Sequence, residues 1–212
     1  MLDLPRLLRD RRRRRVGILG GSFNPAHGGH FHISLEALRR LDLDEIWWLV
    51  SPQNPLKPKR GMAPLARRLE EAVATIRHPR IKVTDLESHL GTRFTADTLT
   101  RLTRRFPATR FVWLMGADNL LQIRRWERWQ LIFKTVPIAI FARPSYCLRG
   151  LSDLAARRFA RWRVFPGNAR RLADMNPPSW VFFPSRLDTR SATQIRSRTE
   201  RHDPTATIQR TR

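Results

Sequence analysis

The chain has 212 residues, of which 41% are hydrophobic and 28% charged. That length suits one domain with its own core and is short for two independent domains. The formal net charge of +23 raises the question of a nucleic-acid partner, but the arginines are scattered over nearly every segment, so nucleic acid is not the expected partner. The single cysteine, Cys147, excludes an intramolecular disulfide.

The first fifteen residues end in five consecutive arginines, Arg11 to Arg15. We expect residues 1–15 to form a basic, disordered tail, residues 16–200 to form the domain, and residues 201–212 to form a flexible C-terminal tail. The arginines precede no signal-peptide core, and no apolar segment is long enough to cross a bilayer. The sequence therefore predicts a cytoplasmic protein. It leaves open the role of the arginine run and whether the chain forms a homo-oligomer.

Short apolar segments alternate with amphipathic ones along the chain, which predicts an α/β fold. The predicted strands are Val16–Leu19, Glu45–Ser51, Ile81–Thr84, Arg110–Met115, Pro137–Ala142 and Trp180–Phe183. Between them, apolar residues recur at helical spacing, as in the stripe Leu65, Leu69, Ala72, Val73 and Ile76. We expect a single domain with a Rossmann-like, doubly wound parallel sheet. Residues 143–174 are irregular in pattern, with one short helix predicted around Leu151–Phe159.

The first predicted strand runs into a glycine-rich turn that carries two histidines. It reads Gly20-Gly21-Ser22-Phe23-Asn24-Pro25-Ala26-His27-Gly28-Gly29-His30, and the apolar residues Phe31, Leu35 and Leu38 follow at helical spacing. His30 is therefore expected in the first turn of a helix, where backbone N–H groups and the helix dipole favour an anion. Because glycines let a ligand approach the backbone and both imidazoles can face one anion, the turn predicts a nucleotide-phosphate site. A turn that binds nothing is the structural alternative.

Three later segments place polar side chains near predicted strand ends or helix starts. A proline-stiffened loop after the second strand presents Lys57 and Lys59, of which Lys57 is the stronger candidate phosphate contact. Thr95 is predicted to cap a helix, with Asp97 near the positive end of its dipole. Asp118 follows a strand that stops at Gly-Ala, so its carboxylate is expected at the active edge of the sheet. A plain crossover loop and plain helix caps are the alternatives.

Two more segments complete the pattern. Trp126 and Trp129 lie three residues apart, which predicts one helix with at least one tryptophan in the core. Near the end of the chain, Ser191 and Gln194 fit a capping box, and the helix they open would offer N–H groups, hydroxyls and Arg196 to an anion.

Together these segments resemble the HxGH nucleotidyltransferase superfamily and, within it, the bacterial nicotinate-nucleotide adenylyltransferases. The histidine turn resembles the HxGH signature, residues 95–99 resemble the Thr-x-Asp-Thr-Leu motif, and residues 191–196 resemble the second signature, Ser-Ser/Thr-Thr-x-Ile-Arg. Two positions depart from the pattern. Asn24 stands where members commonly have Asp, and Ala192 replaces a hydroxyl residue and so removes one potential phosphate hydrogen bond.

The resemblance implies transfer of AMP from ATP to nicotinate mononucleotide, giving deamido-NAD and pyrophosphate in NAD biosynthesis. The catalytic residues it implies are His27, His30 and Arg196. The implied ATP-binding residues are Gly20, Gly21, Ser22, Phe23, His27, His30, Ser191, Thr193, Ile195 and Arg196. The implied nicotinate mononucleotide-binding residues are Lys57, Thr95, Asp118, Trp126 and Glu127. Trp126 would stack on the pyridine ring, and the amides of Thr95 and Glu127 would meet its carboxylate. Mg²⁺ would be carried by ATP and not by a protein metal site.

Two other functions stay open at this point. One is another HxGH nucleotidyltransferase, such as a phosphopantetheine adenylyltransferase or a cytidylyltransferase, against which Trp126 and Thr95 argue. The other is a non-catalytic RNA-binding protein on the same scaffold, which would bind polynucleotides with a steep salt dependence and release no pyrophosphate. The sequence does not decide how strongly nicotinate is preferred over nicotinamide mononucleotide.

Overall fold

A computed structural model of the chain describes residues 13–52, 60–142 and 153–184. Within these residues, one sheet contains the strands β1 (Arg14–Gly21), β2 (Glu45–Val50), β3 (Ile81–Thr84), β4 (Thr109–Gly116), β5 (Ile138–Phe141), β6 (Arg163–Val164) and β7 (Trp180–Phe183). Their order is β3-β2-β1-β4-β5-β7-β6, and every neighbouring pair is parallel. The predicted doubly wound parallel sheet is confirmed, and its strand order reverses between β1 and β4.

Helices cover both faces of the sheet. They are α1 (Gly28–Arg40), α2 (Leu65–Thr75), α3 (Leu86–Leu90), α4 (Thr95–Arg105), α5 (Ala117–Gln122), α6 (Trp129–Thr135) and α7 (Leu154–Arg158). In the part of the chain that the structure describes, 3₁₀ segments span Ile123–Arg125, Ala160–Trp162 and Pro166–Asp174. The helices α1 and α2 and the last 3₁₀ segment pack on one face, whereas α3 to α7 pack on the other, so the domain has three layers and two apolar cores.

The central strands are buried on both sides, which is why their sequences are continuously apolar. In β2, the adjacent Trp47 and Trp48 point to opposite cores, as the twofold period of a strand requires. Trp47 makes edge contacts with Phe106 and Phe111 at centroid distances of 5.8 and 5.6 Å. The indole N–H of Trp48 donates to the Ser34 hydroxyl at 2.7 Å, which satisfies its polar atom inside the core.

The first strand begins two residues before the predicted boundary at residue 16. Arg14 forms an ion pair with Glu45 at 2.7 Å, and Arg15 forms ion pairs with Asp42 at 2.6 Å and Asp174 at 2.8 Å. The prediction of a disordered tail is therefore wrong for these two arginines, because neighbouring carboxylates and strand pairing hold them at the sheet.

The region predicted to be irregular, residues 143–174, contains regular elements where the structure describes it. The predicted helix around Leu151–Phe159 appears as α7, and residues 143–152 lie outside the described residues. The strand β6 was not predicted because it has only two residues. Its place in the sheet depends on pairing with β7, through Arg163 beside Trp180 and Val164 beside Val181.

Gly20 lies where a side chain would collide with β4. A Cβ atom at Gly20 would overlap the indole ring of Trp113, whereas a Cβ at Gly21 would come no closer than 3.5 Å to Phe23. We expect Gly20→Ala to lower the free energy of unfolding by about 1–3 kcal/mol because the ring and strand must shift. The matched control, Gly21→Ala, should change it by less than about 1 kcal/mol. Urea denaturation measures both, and equal stabilities would contradict the close packing.

Candidate active site

The carboxyl ends of β1 and β4 bring two of the predicted segments together. The histidine turn follows β1, and Gly116-Ala117-Asp118 follows β4, which pairs directly with β1. Asp118 therefore lies in the first turn of α5, close to the end of its strand. In open parallel sheets, ligands bind in the crevice where the strand order reverses, and both segments lie at that crevice.

The two histidines cap the first helix. His27 is the N-cap residue of α1 and His30 lies in its first turn, as predicted. The N–H of Gly29 donates to Nδ1 of His27 at 3.1 Å, and the N–H of His27 donates to Nδ1 of His30 at 3.3 Å. This is a capping box in which imidazoles take the places usually held by a hydroxyl and a carboxylate.

This cap decides which nitrogen of each ring carries a proton. A neutral imidazole that accepts a hydrogen bond at Nδ1 holds its proton on Nε2. Both His27 and His30 therefore present Nε2–H as a donor, and their ring centroids lie 3.9 Å apart. The arrangement places two side-chain donors at the N-terminus of α1, where the helix dipole also favours an anion, and it is therefore suited to binding a phosphate group.

Phe23 supports the histidines from the core side. Its side chain is only 1% exposed and its backbone has a φ of +45°, a conformation that a non-glycine residue rarely adopts. Its ring lies 4.6 Å from the ring of His30 and stacks on Trp48 at 5.1 Å. Phe23 was expected among the ATP-binding residues. Because its side chain is buried in packing, only its backbone is available to a ligand.

Asn24, which departs from the family pattern, has a structural use for its amide. Its Nδ2 donates to the carbonyl of Gly61 at 2.9 Å, and its Oδ1 accepts from the N–H of Ala63 at 3.3 Å. A carboxylate offers acceptors only, so an aspartate could not make the first of these bonds. Asn24 thus connects the histidine turn to the segment that leads into α2.

Thr95 does not cap its helix, and the prediction that it does is wrong. The N-cap residue is Phe94, and no side chain accepts a hydrogen bond there. The carbonyl of Phe94 instead receives the N–H groups of Asp97 and Thr98, both at 3.0 Å, so Thr95 is the first helical residue. The N–H of Thr95 belongs to the first turn, for which the helix itself supplies no acceptor.

The two tryptophans do not share a helix. Trp126 ends a 3₁₀ segment with extended backbone, and α6 begins at Trp129 after Arg128, whose φ is +48°. As predicted, one of them is a core residue: Trp129 is buried, whereas Trp126 is half-buried with an edge contact to Trp113 at 6.3 Å. The side chain of Glu127 is exposed.

Arg128 also tethers this segment to the start of α4. Its guanidinium forms an ion pair with the carboxylate of Asp97 in the first turn of that helix. The turn before α6, which carries Trp126, and the N-terminus of α4, which carries Thr95, are thereby held to one another across the sheet face they share.

Several predicted site residues lie outside the described residues. They are Lys57, Ser191, Thr193, Ile195 and Arg196. Across residues 13–52, 60–142 and 153–184, no group of three or more histidine, cysteine, aspartate or glutamate side chains is placed to hold a metal ion. The helices in the same ranges include none long and apolar enough to cross a membrane.

Comparison with known proteins identifies the family of the chain. Residues 18–198 match the family described as cytidylyltransferase-like. The chain belongs to this family. A protein of Cereibacter sphaeroides described as a probable nicotinate-nucleotide adenylyltransferase is 57% identical over 182 residues, which cover 86% of this chain and 96% of that protein. A protein of Parvibaculum lavamentivorans with the same description is 50% identical and covers 87% of this chain and 92% of its own length.

A solved structure shows the fold at greater distance. The Plasmodium falciparum nicotinic acid mononucleotide adenylyltransferase complexed with NaAD superposes with a TM-score of 0.66 at 18% identity. The match covers 87% of this chain and 83% of that one. The family resemblance inferred from the sequence motifs is confirmed.

Sequence reasoning missed two buried charged residues beside the site. Arg68 occupies an inner position of α2 with 1% exposure, whereas Val73, predicted in the apolar stripe, is 42% exposed. The sequence did contain a signal, because Arg68 lies three residues after Leu65 and four before Ala72, on the same face of the helix as the apolar stripe. The other is Glu87 in α3, only 7% exposed, whose Oε1 lies 3.2 Å from the Thr98 hydroxyl. Nothing in its sequence context distinguished Glu87 from a surface glutamate.

The stability of the site region should depend on the protonation of Glu87. Burial raises the pKa of Glu87 from 4.5 to about 6, with the hydroxyls of Ser51 and Thr98 opposing the rise. Its stabilising contribution is complete below the unfolded pKa and is lost as the pH rises through about 6, on the order of 2 kcal/mol. Glutamine does not titrate, so the Glu87→Gln variant does not lose this stability. The melting temperature of the variant minus that of the wild type should therefore increase as the pH rises from about 4.5 to about 7.

Thermal melts across this pH range measure the difference for each variant. The control is Glu70→Gln, since Glu70 is exposed on α2. A Glu87→Gln curve parallel to the wild-type curve at every pH would show that Glu87 does not titrate as the buried group described here.

Proposed function

We propose that this chain transfers AMP from ATP to nicotinate mononucleotide, forming deamido-NAD and pyrophosphate in NAD biosynthesis. The observation that carries the proposal is the imidazole capping box at the N-terminus of α1, in which both Nδ1 atoms accept backbone N–H groups and Nε2 is the donor on each ring, in the turn that follows β1. The names of the relatives that align with almost the whole chain support the same reaction.

The reaction needs positioning and charge stabilisation more than proton transfer. A phosphate oxygen of the mononucleotide attacks the α-phosphorus of ATP, and the bond to the bridging oxygen breaks, so pyrophosphate leaves with the electron pair. The nucleophile is already ionised at neutral pH, which removes the need for a covalent intermediate or a strong base. His27 and His30 donate from Nε2 to the α-phosphate and the bridging oxygen, where negative charge grows in the transition state.

The remaining ATP contacts follow the family motifs. Arg196 and Ser191 bind the β- and γ-phosphates, and Thr193 and Ile195 are assigned to the same ATP contact by the motif. Mg²⁺ enters bound to the triphosphate and keeps most of its waters. Gly20, Gly21, Ser22 and Phe23 contact ATP through their backbone atoms.

The acceptor binds toward α4 and α6. Half-buried Trp126 stacks on the pyridine ring, and the N–H groups of Thr95 and Glu127 bind its carboxylate. The geometry supports this assignment because Thr95 offers a first-turn N–H and the Asp97–Arg128 pair holds the two segments together. The side chain of Glu127 is exposed, so its role is limited to the backbone. Asp118 contacts a ribose hydroxyl, and Lys57 contacts the phosphate.

The central prediction concerns His30. Purified wild-type protein should release pyrophosphate from ATP and nicotinate mononucleotide, and His30→Ala should lower kcat by about 10²–10³-fold because one transition-state donor is lost. Loss of the cap should cost only about 1 kcal/mol of stability, so the variant should remain folded. A coupled pyrophosphate assay, run well below the unfolding temperature, measures both proteins.

The matched control is His78→Ala. His78 lies in the turn before β3, at the amino edge of the sheet opposite the site. Its replacement by alanine should therefore leave kcat unchanged. A His30→Ala rate within a few-fold of the wild-type rate would remove this role.

The same assay distinguishes the alternative functions. Activity with CTP in place of ATP, or with phosphopantetheine in place of nicotinate mononucleotide, would indicate another nucleotidyltransferase. Polynucleotide binding without pyrophosphate release would indicate the RNA-binding alternative.

A second prediction separates the two substrates. Trp126→Leu should raise the KM for nicotinate mononucleotide roughly 3- to 10-fold, because the stacking contact on the pyridine ring is lost. The KM for ATP serves as the internal control and should stay within about twofold, since Trp126 contacts only the acceptor in this assignment. Initial rates with each substrate varied in turn give both constants. Equal increases in both would place Trp126 in the scaffold instead.

A further inference from the structure

One buried guanidinium joins the segments that surround the phosphate site. The Nη1 of Arg68 donates to the carbonyls of Ser22 at 2.6 Å and Ser51 at 2.7 Å. Its Nη2 donates to the carbonyl of Pro52 at 2.9 Å, and its Nε donates to the carbonyl of Ala63 at 2.9 Å. All four acceptors are backbone oxygens, so the bonds act on the course of the chain and not on other side chains.

These carbonyls belong to three different parts of the site. Ser22 lies in the histidine turn after β1, and Ser51 and Pro52 directly follow the last residue of β2. Ala63 lies just before α2, and its N–H donates to Oδ1 of Asn24 in the histidine turn. One rigid fork of donors therefore sets the separation between the histidine turn, the end of β2 and the start of α2.

The charge on Arg68 is not needed to neutralise a carboxylate. None of the ion pairs formed within the described residues includes Arg68. Burial lowers the pKa of Arg68, which shows that its environment works against the charged form. An apolar side chain in this position would avoid that penalty, so packing alone does not explain an arginine here.

We propose that Arg68 is a positioning residue for AMP transfer, which keeps the histidine turn and the residues that directly follow β2, Ser51 and Pro52, at the distance that catalysis requires. The inference rests on the proposed function. Displacement of reacting groups by about 1 Å can cost about 10²-fold in rate, so a side chain that never touches substrate can control kcat. Lysine cannot replace it, because a single ammonium group cannot span four carbonyls in a fixed plane.

The test compares Arg68→Lys with Arg67→Lys. Arg67 is the neighbouring residue on α2, with an exposed side chain paired to Glu71, and its variant should keep kcat within about twofold. Arg68→Lys should lower kcat about 10–100-fold while the protein stays folded. Rates are expressed per folded molecule, with the folded fraction taken from near-UV circular dichroism at the assay temperature.

A second variant distinguishes positioning from general stability. In Arg68→Ala, millimolar guanidinium ion should restore part of kcat by occupying the vacated site, and ammonium ion should not. A wild-type kcat in Arg68→Lys would overturn the inference. So would a loss of rate that matches the loss of folded protein, or variants that are unfolded with and without guanidinium.

Binding of a non-hydrolysable ATP analogue, measured by calorimetry, separates this inference from the proposed function. If the wild type binds the analogue but releases no pyrophosphate, the proposed function fails. The positioning role is then judged by the analogue: weaker binding by Arg68→Lys than by Arg67→Lys supports it, and equal binding overturns it.

Discussion

The structure of the site depends on the hydrogen bonds that His27 and His30 make with the first turn of α1. A helix that starts at a glycine pair leaves backbone N–H groups that need acceptors, and the two Nδ1 atoms supply them. Because these bonds use Nδ1, they also decide that Nε2 is the donor on each ring. The interactions that stabilise the helix start and those that prepare the rings for a phosphate are therefore the same bonds.

The end of β2 lies between two buried ionisable groups of opposite type. The carbonyl of Ser51 accepts from Arg68, while its hydroxyl helps to hold down the pKa of Glu87. Glu87 in turn contacts Thr98, in the motif that opens α4, and the N–H of Ser51 donates to the carbonyl of Gly21. A continuous set of contacts thus runs from the histidine turn to α4, the helix to which the pyridine carboxylate is assigned.

The high content of arginine has a structural explanation at several positions. Arg14 and Arg15 pair with carboxylates around the first strand, Arg128 pairs with Asp97, and Arg68 and Arg80 donate to backbone carbonyls. Guanidinium groups suit these tasks because they offer several donors in one plane. Part of the positive charge of the chain is therefore engaged within the fold.

Apolar periodicity and glycine placement in the sequence predict the fold class, the histidine turn and six of the seven described strands, because these local signals directly reflect burial and backbone freedom. The predictions that Thr95 caps its helix and that the two tryptophans share a helix are wrong, because the cap at Phe94 and the left-handed backbone of Arg128 are set by how the helices meet the sheet. The sequence also could not reveal that Arg68 and Glu87 are buried. Their partners are backbone carbonyls and hydroxyls brought together from separate strands and loops, and only the tertiary structure decides that a charged side chain is buried among them.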